Sequence, residues 1–217
     1  EIHYAIIKNG NIGIHADTVY NSSPTVTIKN TIIKNMSGIG ILGQGTNISV
    51  TNTVISKCGQ YAVVCNIGGT YNFIHCTFAN YWSFSNRNTP SILLNNYYEG
   101  VDGNIYVRDL EAANFTNCII EGSLSTEVSF QEQELGQFNY AFDHCLIKLD
   151  PTINTNNYHY ENIIINQAVK FEDAYEGDFH LKENSPAINA GNSTGNFNDI
   201  EGNPRNNPDI GAYEFIE

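Results

Sequence analysis

The chain is poor in charge. Only 15% of its 217 residues are Asp, Glu, Lys or Arg, well under the roughly one quarter usual for soluble domains. Bases are scarcest, ten against 23 acids, and the formal net charge is −13. Nucleic acid is bound through a basic face, so this balance argues against DNA or RNA as a partner. No run of 18 apolar residues occurs, so no transmembrane helix is expected, and no signal-peptide pattern is visible. The five cysteines (Cys58, Cys65, Cys76, Cys118 and Cys145) are an odd number. At least one is therefore unpaired within the chain. None has the Cys-x-x-Cys or Cys/His spacing of a zinc site. No Ser/His/Asp or Cys/His triad motif and no phosphate loop is present.

What the chain has instead is asparagine, 31 residues or about one in seven. Asn is poor in helix interiors but tolerates left-handed backbone and bonds its own backbone in turns. Many turns and β structure are therefore expected. Charge is also unevenly spread. Residues 1–98 carry a net charge of +3, residues 99–217 one of −16. The acids of the second half form a solvated surface or, in part, oxygen ligands for a hard cation such as Ca²⁺.

An eight-residue unit recurs. Ile2-His3-Tyr4-Ala5-Ile6-Ile7-Lys8-Asn9 aligns with Ile28-Lys29-Asn30-Thr31-Ile32-Ile33-Lys34-Asn35 and with Val50-Thr51-Asn52-Thr53-Val54-Ile55-Ser56-Lys57. Three more copies start at Phe73, Phe115 and Phe142. Successive starts are 26, 22, 23, 42 and 27 residues apart, a period that fits one turn of a β-solenoid with one long insertion or one degenerate turn. Down the copies, the first position is Ile, Ile, Val, Phe, Phe, Phe and the sixth is Ile or Phe throughout. The fourth is Ala, Thr, Thr, Cys, Cys, Cys, and the third is Tyr or Asn/His. Stacked coils place like above like at about 4.8 Å. The apolar columns then fill an interior, and the small fourth position marks a narrow place. The Asn/His column marks a bend whose amides bond the next rung. His75 and His144 substitute for Asn there, and the cysteines of the fourth column are expected as free thiols. A second strand follows three rungs (Ile12-Gly13-Ile14, Ile39-Gly40-Ile41, Tyr61-Ala62-Val63-Val64).

On the strength of this rung, residues 1–150 resemble the right-handed parallel β-helix proteins of the pectin lyase-like superfamily. The resemblance implies an all-β, right-handed parallel β-helix of about six coils, with residues 1–168 in the solenoid and an insertion at 81–113. A second motif follows: Ser185-Pro186-Ala187-Ile188-Asn189-Ala190-Gly191, then Gly202-Asn203-Pro204-Arg205, then Asp209-Ile210-Gly211-Ala212-Tyr213-Glu214. It is similar to the C-terminal motif of Bacteroidetes-type surface β-helix proteins with a choice-of-anchor region, although Asn189 stands where that family often has Asp. The likeness implies an extracellular or cell-surface protein. Residues 169–217 read as a loop-rich cap in which Leu181, Ile188, Ile210, Tyr213 and Phe215 cover the open solenoid end. Arg205, the one Arg or Lys in the last 35 residues, is expected to fork onto Asp199, Asp209 or Glu214. Residue 1 begins inside a rung with no capping element before it, which suggests a natural chain extending upstream.

Two functions from different classes fit. One is a non-catalytic module that binds glycan or serves as scaffold; the other is a lyase or glycoside hydrolase acting on acidic polysaccharide. Enzymes of the resembled fold converge carboxylates on one strand face. The rungs here hold only Glu121 and Asp143, in different columns. Candidate ligand-binding residues therefore fall in the insertion: Trp82, Tyr97, Tyr98, Glu99 and Tyr106, since long loops on a rigid scaffold commonly carry function. A lyase would use Arg87 or Arg108 as base with Asp102 or Asp109 near a cation such as Ca²⁺.

Overall fold

The computed structural model describes residues 1–18 and 24–216. Among these residues there is no helix. Fifteen strands form one curled sheet, whose longest continuous path runs through nine of them, and two small two-stranded sheets stand apart. Within the large sheet every pairing is parallel, and each strand's neighbour is its own equivalent one repeat away.

Ile2, Ile28, Val50, Phe73, Phe115, Phe142 and Tyr160 lie side by side in successive rungs. Four rings of this column stack: Phe73 on Phe115 at 4.8 Å, Phe115 on Phe142 at 4.8 Å, and Phe142 on Tyr160 at 5.7 Å. A second column runs Ile6, Ile32, Val54, Thr77, Ile119, Leu146, Ile164. A third runs Ile14, Ile41, Val63, Ile92, Val128. There are thus seven rungs, one more than the repeat count anticipated. The seventh, Tyr160-Glu161-Asn162-Ile163-Ile164-Ile165, keeps the pattern with an aromatic in first place and Asn in third. The following strand recurs in five coils rather than three.

Each rung bends at its third position. Tyr4, Asn30, Asn52, His75, Asn117, His144 and Asn162 all adopt left-handed backbone, with φ between 46° and 53°. Asn is the side chain that best tolerates this conformation after Gly. The fourth position acts across the same bend. Thr31 and Thr53 donate to the carbonyls of Lys29 and Thr51 at 2.8 and 2.9 Å. Cys76, Cys118 and Cys145 repeat the contact to Ile74, Thr116 and Asp143 at 3.3–3.4 Å. Small size is therefore only part of what that column selects; it also supplies a donor to a carbonyl two residues back.

The 42-residue step is one coil with two excursions. Ile92–Asn95 rejoins the sheet between Val63–Ile74 and Val128–Gln131. Ahead of it lies a loop over 81–91, and after it an antiparallel hairpin of Tyr97–Glu99 with Ile105–Val107.

The C-terminal segment does not cover the solenoid end. Val169, Phe171, Phe179, Leu181, Ala187, Ile210, Ala212 and Tyr213 pack with Val54, Ala79, Ile119 and Leu146, which face outward on four successive rungs. The segment is a strap along the flank. It docks through polar contacts as well: Asn117 accepts from Asn192 N at 2.8 Å and donates to Asn192 O at 2.6 Å. Asn52 donates to Asn198 O at 2.8 Å, and Thr77 Oγ1 accepts from Ala212 N at 3.0 Å. The flank is covered because the fifth rung position is apolar on its outer side, and burying that column releases more water than leaving it exposed.

All five cysteines are free and buried. Burial pushes the Cys58 thiol up to about 12 and raises those of Cys65 and Cys118 as well. Buried thiols are out of reach of a reagent in solution, so none of the five should react with an aromatic disulfide reagent in the folded protein at pH 8, and all five should react in denaturant; a fast native phase would show an open core. Phe115→Ala removes the middle ring of the stack and should destabilise the fold by about 3–5 kcal/mol, read from the midpoint and slope of chemical denaturation.

Candidate ligand-binding groove

The residues singled out in the insertion do not converge. Arg87 is buried, with its guanidinium forked onto Glu127 at 2.6 and 2.8 Å and bonded to the carbonyls of Thr89 and Asn80. Glu127 also accepts from the backbone N–H of Ser91 and Leu124 and from the Ser91 hydroxyl, at 2.8–2.9 Å. Arg87 thus fastens the 81–91 loop to the next coil and has no open face for substrate. Its partner Glu127 could not be chosen from spacing, because it lies 40 residues away on a coil whose register the insertion obscures. Trp82 donates to Ser85 Oγ at 2.9 Å and meets Phe84 edge-on at 4.9 Å.

Tyr97, Tyr98, Glu99 and Tyr106 belong to the hairpin, where Tyr98 and Tyr106 stack at 5.2 Å. Asp102 at its tip accepts from Tyr106 Oη at 2.7 Å and Asn104 Nδ2 at 2.8 Å, and the Tyr106 hydroxyl bond holds its carboxyl below the usual range. Asp109 caps the N–H of Gln137 at 2.8 Å. The Arg108 N–H donates to Asn96 O at 2.8 Å, and its side chain is exposed. Of the rung acids, Glu121 is engaged with Lys148 and Asp143 with His144, while Glu161 of the seventh rung is exposed. Among the described residues no group of three His, Cys, Asp or Glu side chains is arranged to hold a metal ion.

The Arg205 cluster is a structural knot in the strap. Its Nη1 pairs with Glu214, while Nη2 donates to the carbonyls of Gly211 and Ala212 at 3.0 and 3.2 Å and reaches Asn52 Oδ1 at 3.4 Å. Asp199 is engaged otherwise than expected: its carboxylate accepts the N–H groups of Glu201, Asn203 and Glu214 at 2.8–2.9 Å. Asp209 accepts from Asn189 N and Phe215 N. Burial raises the carboxyl pKa of both Asp209 and Glu214.

An open groove of about 510 Å³ lies beside this knot. One wall is the bend column of the first three coils, Tyr4, Asn30 and Asn52; the other is residues 195–202 of the strap. The strap closes over the bend of the third, fourth and fifth coils, where Asn52, His75 and Asn117 are buried, and leaves Tyr4 exposed and Asn30 half-buried in the first two. His75 completes the covered part: its Nε2 lies 2.9 Å from Asn117 Nδ2, and burial and then Arg205 lower its pKa to about 3. It therefore stays neutral, as the substitution for Asn implies. In the open part, Tyr4 and Phe197 are 79% and 82% exposed, with Asn30, Asn196, Asn198 and Glu201 between them. Gly195 and Gly202, with φ of 78° and 95°, make the turns at either end of this loop. Behind the wall, His180 lies 2.6 Å from Asp178 and 3.2 Å from Glu201. Burial opposes its protonation, but the two carboxylates outweigh that and hold its pKa above the ordinary value.

Sequence reasoning placed Asn30 and Asn52 in a ladder and assigned the groove no function. Two signals pointed there: Tyr4 is the one residue of the third column that is neither Asn nor His, and Phe197 stands in an otherwise polar loop. An all-β, solenoid-like scaffold with a polar groove flanked by exposed aromatic rings is the class of protein these features define. Comparison with models of known families, with curated proteins and with solved structures finds no match for this chain.

A buried ion pair that loses one partner leaves an uncompensated charge. Arg87→Met or Glu127→Leu alone should therefore destabilise the protein by about 3–5 kcal/mol, and the double variant by clearly less than the sum. Denaturant titration of all four proteins measures the coupling.

Proposed function

We propose that this protein is a non-catalytic, right-handed parallel β-helix module that binds glycan in the groove between its bend column and its C-terminal strap. The observation that carries the reading is the placement of Tyr4 and Phe197, both exposed, on opposite walls of a concave surface to which Asn30, Asn196 and Asn198 also contribute. Aromatic rings offer an apolar face to the C–H side of a pyranose. Amides supply both a donor and an acceptor for hydroxyls, and the groove volume lies within the range of small-ligand sites. The right-handed sense is supported by parallel crossover connections, which take that hand in about 98% of cases. The likeness of the C-terminal motif to surface proteins supports an extracellular or cell-surface location.

A lyase or hydrolase on acidic polysaccharide has less in its favour. Arg87 is bound to Glu127, Asp102 is engaged within its own hairpin tip, and Asp109 accepts from the Gln137 N–H. Glu121 and Asp143 each have a basic partner.

Glycan-array screening followed by calorimetry tests the proposal. Phe197→Ala should weaken binding of an array hit by about tenfold, the scale of one lost aromatic contact of 1–2 kcal/mol, with no change in thermal midpoint, because Phe197 is exposed. Binding that survives both Phe197→Ala and Tyr4→Ala would place the ligand elsewhere, and release of unsaturated uronate absorbing near 235 nm would favour the lyase.

A further inference from the structure

The groove carries charge of one sign only, and this bears on which glycan it takes. None of the residues lining it is Lys or Arg, and two of them, Asp199 and Glu201, are acids. Glu201 keeps half of its side chain exposed. Two positive groups of the strap are already engaged: Arg205 is buried against Glu214, and His180 sits between Asp178 and Glu201. With Asp209 included, five carboxylates in this part of the strap stand against Arg205, His180 and Lys182, whose charge acts on Asp178. The Tyr213 hydroxyl registers the imbalance. Burial raises its pKa first, then Glu201, Asp178 and Asp199 add to the rise, taking it to about 12.

A sugar carboxylate entering the groove would meet this field without a cation to receive it. Like charges brought together in a partly dehydrated cleft oppose binding strongly, and the asparagines offer no charge to offset them. Hydroxyl and acetamido groups carry no such penalty and match the amide lining. We propose that the groove selects uncharged pyranose chains, of hexose or N-acetylhexosamine, and rejects uronates. This rests on the glycan-binding reading above and sets its specificity. Glu201 is the residue that does the rejecting: of the two acids lining the groove it keeps half of its side chain exposed while also meeting His180, whereas Asp199 is buried on backbone N–H groups.

The test compares cellotetraose and an N-acetylglucosamine tetramer with tetragalacturonate, by calorimetry at pH 7 in 20 mM and 300 mM salt. Wild-type protein should bind at least one uncharged tetramer and bind tetragalacturonate at least about tenfold more weakly. The gap should narrow at high salt, as screening requires. Glu201→Gln should narrow it further by raising uronate affinity several-fold. Asp178→Asn, which removes charge without altering the groove lining, should act in the same direction. Tetragalacturonate bound as well as the uncharged tetramers, and lost on Phe197→Ala, would overturn the specificity and leave the glycan groove standing. No binding of any of the three, with the fold intact by circular dichroism, would overturn both.

Discussion

Everything in this fold depends on one backbone constraint, a left-handed residue at the third position of every rung. It divides each rung into two strands at an angle, so that the sheet curls and closes over a core instead of extending flat. Left-handed backbone is unfavourable for most side chains, and the chain meets the requirement with Asn in four of seven rungs and His in two. The residue after it donates to the carbonyl before it, so the bend is held by a side-chain bond as well as by conformation. Inside the bend, rings and branched aliphatics stack in register. The core is therefore a set of columns, each residue packing mainly on its own equivalents in adjacent coils.

The same constraint prepares the surface. A left-handed residue turns its side chain out of the strand ladder, and the amides of Asn52 and Asn117 then serve as ready partners for another chain segment. The strap uses them. Asn117 treats Asn192 as a neighbouring strand would, accepting from its N–H and donating to its carbonyl. Beside these bonds the strap buries apolar residues on the outward fifth column, so its attachment is both specified and driven. Few charges are left free within the fold. Arg205 with Glu214 ties the strap to itself, Arg87 with Glu127 ties an insertion to the next coil, and several acids are engaged on backbone N–H groups. A chain with only 15% charged residues thus places its buried charges at fasteners.

The groove follows from where the strap goes. Over the third, fourth and fifth coils the bend column is covered, and its Asn and His side chains are buried; over the first two it is open, ending at the exposed ring of Tyr4. One row of residues is thus a docking rail at one end and a binding surface at the other. From the second coil on its residues are Asn or His throughout; what changes along the row is the cover and, at Tyr4, the ring.

The repeat, the parallel register, the inward columns and the bend were all legible in the sequence, because each depends on residues that recur at fixed positions and meet their own kind in the next coil. The free cysteines and the place of His75 as a substitute for Asn could be read for the same reason. The Arg205 cluster was legible as a knot because its partners lie within 15 residues, although which acid it would hold was not. What only the tertiary structure decided was where non-repeating segments lie. The strap was expected at the solenoid end and instead runs along the flank. Its apolar residues match the outward fifth column as well as they would match an open end, and composition does not distinguish the two. The insertion drew attention by its aromatics and arginines, but burial of Arg87 against Glu127 and self-contained pairing in the hairpin took those groups out of use. The groove joins Tyr4 to Phe197 across 193 positions. No local pattern reports such a contact, because it exists only once the strap has folded back along the coils.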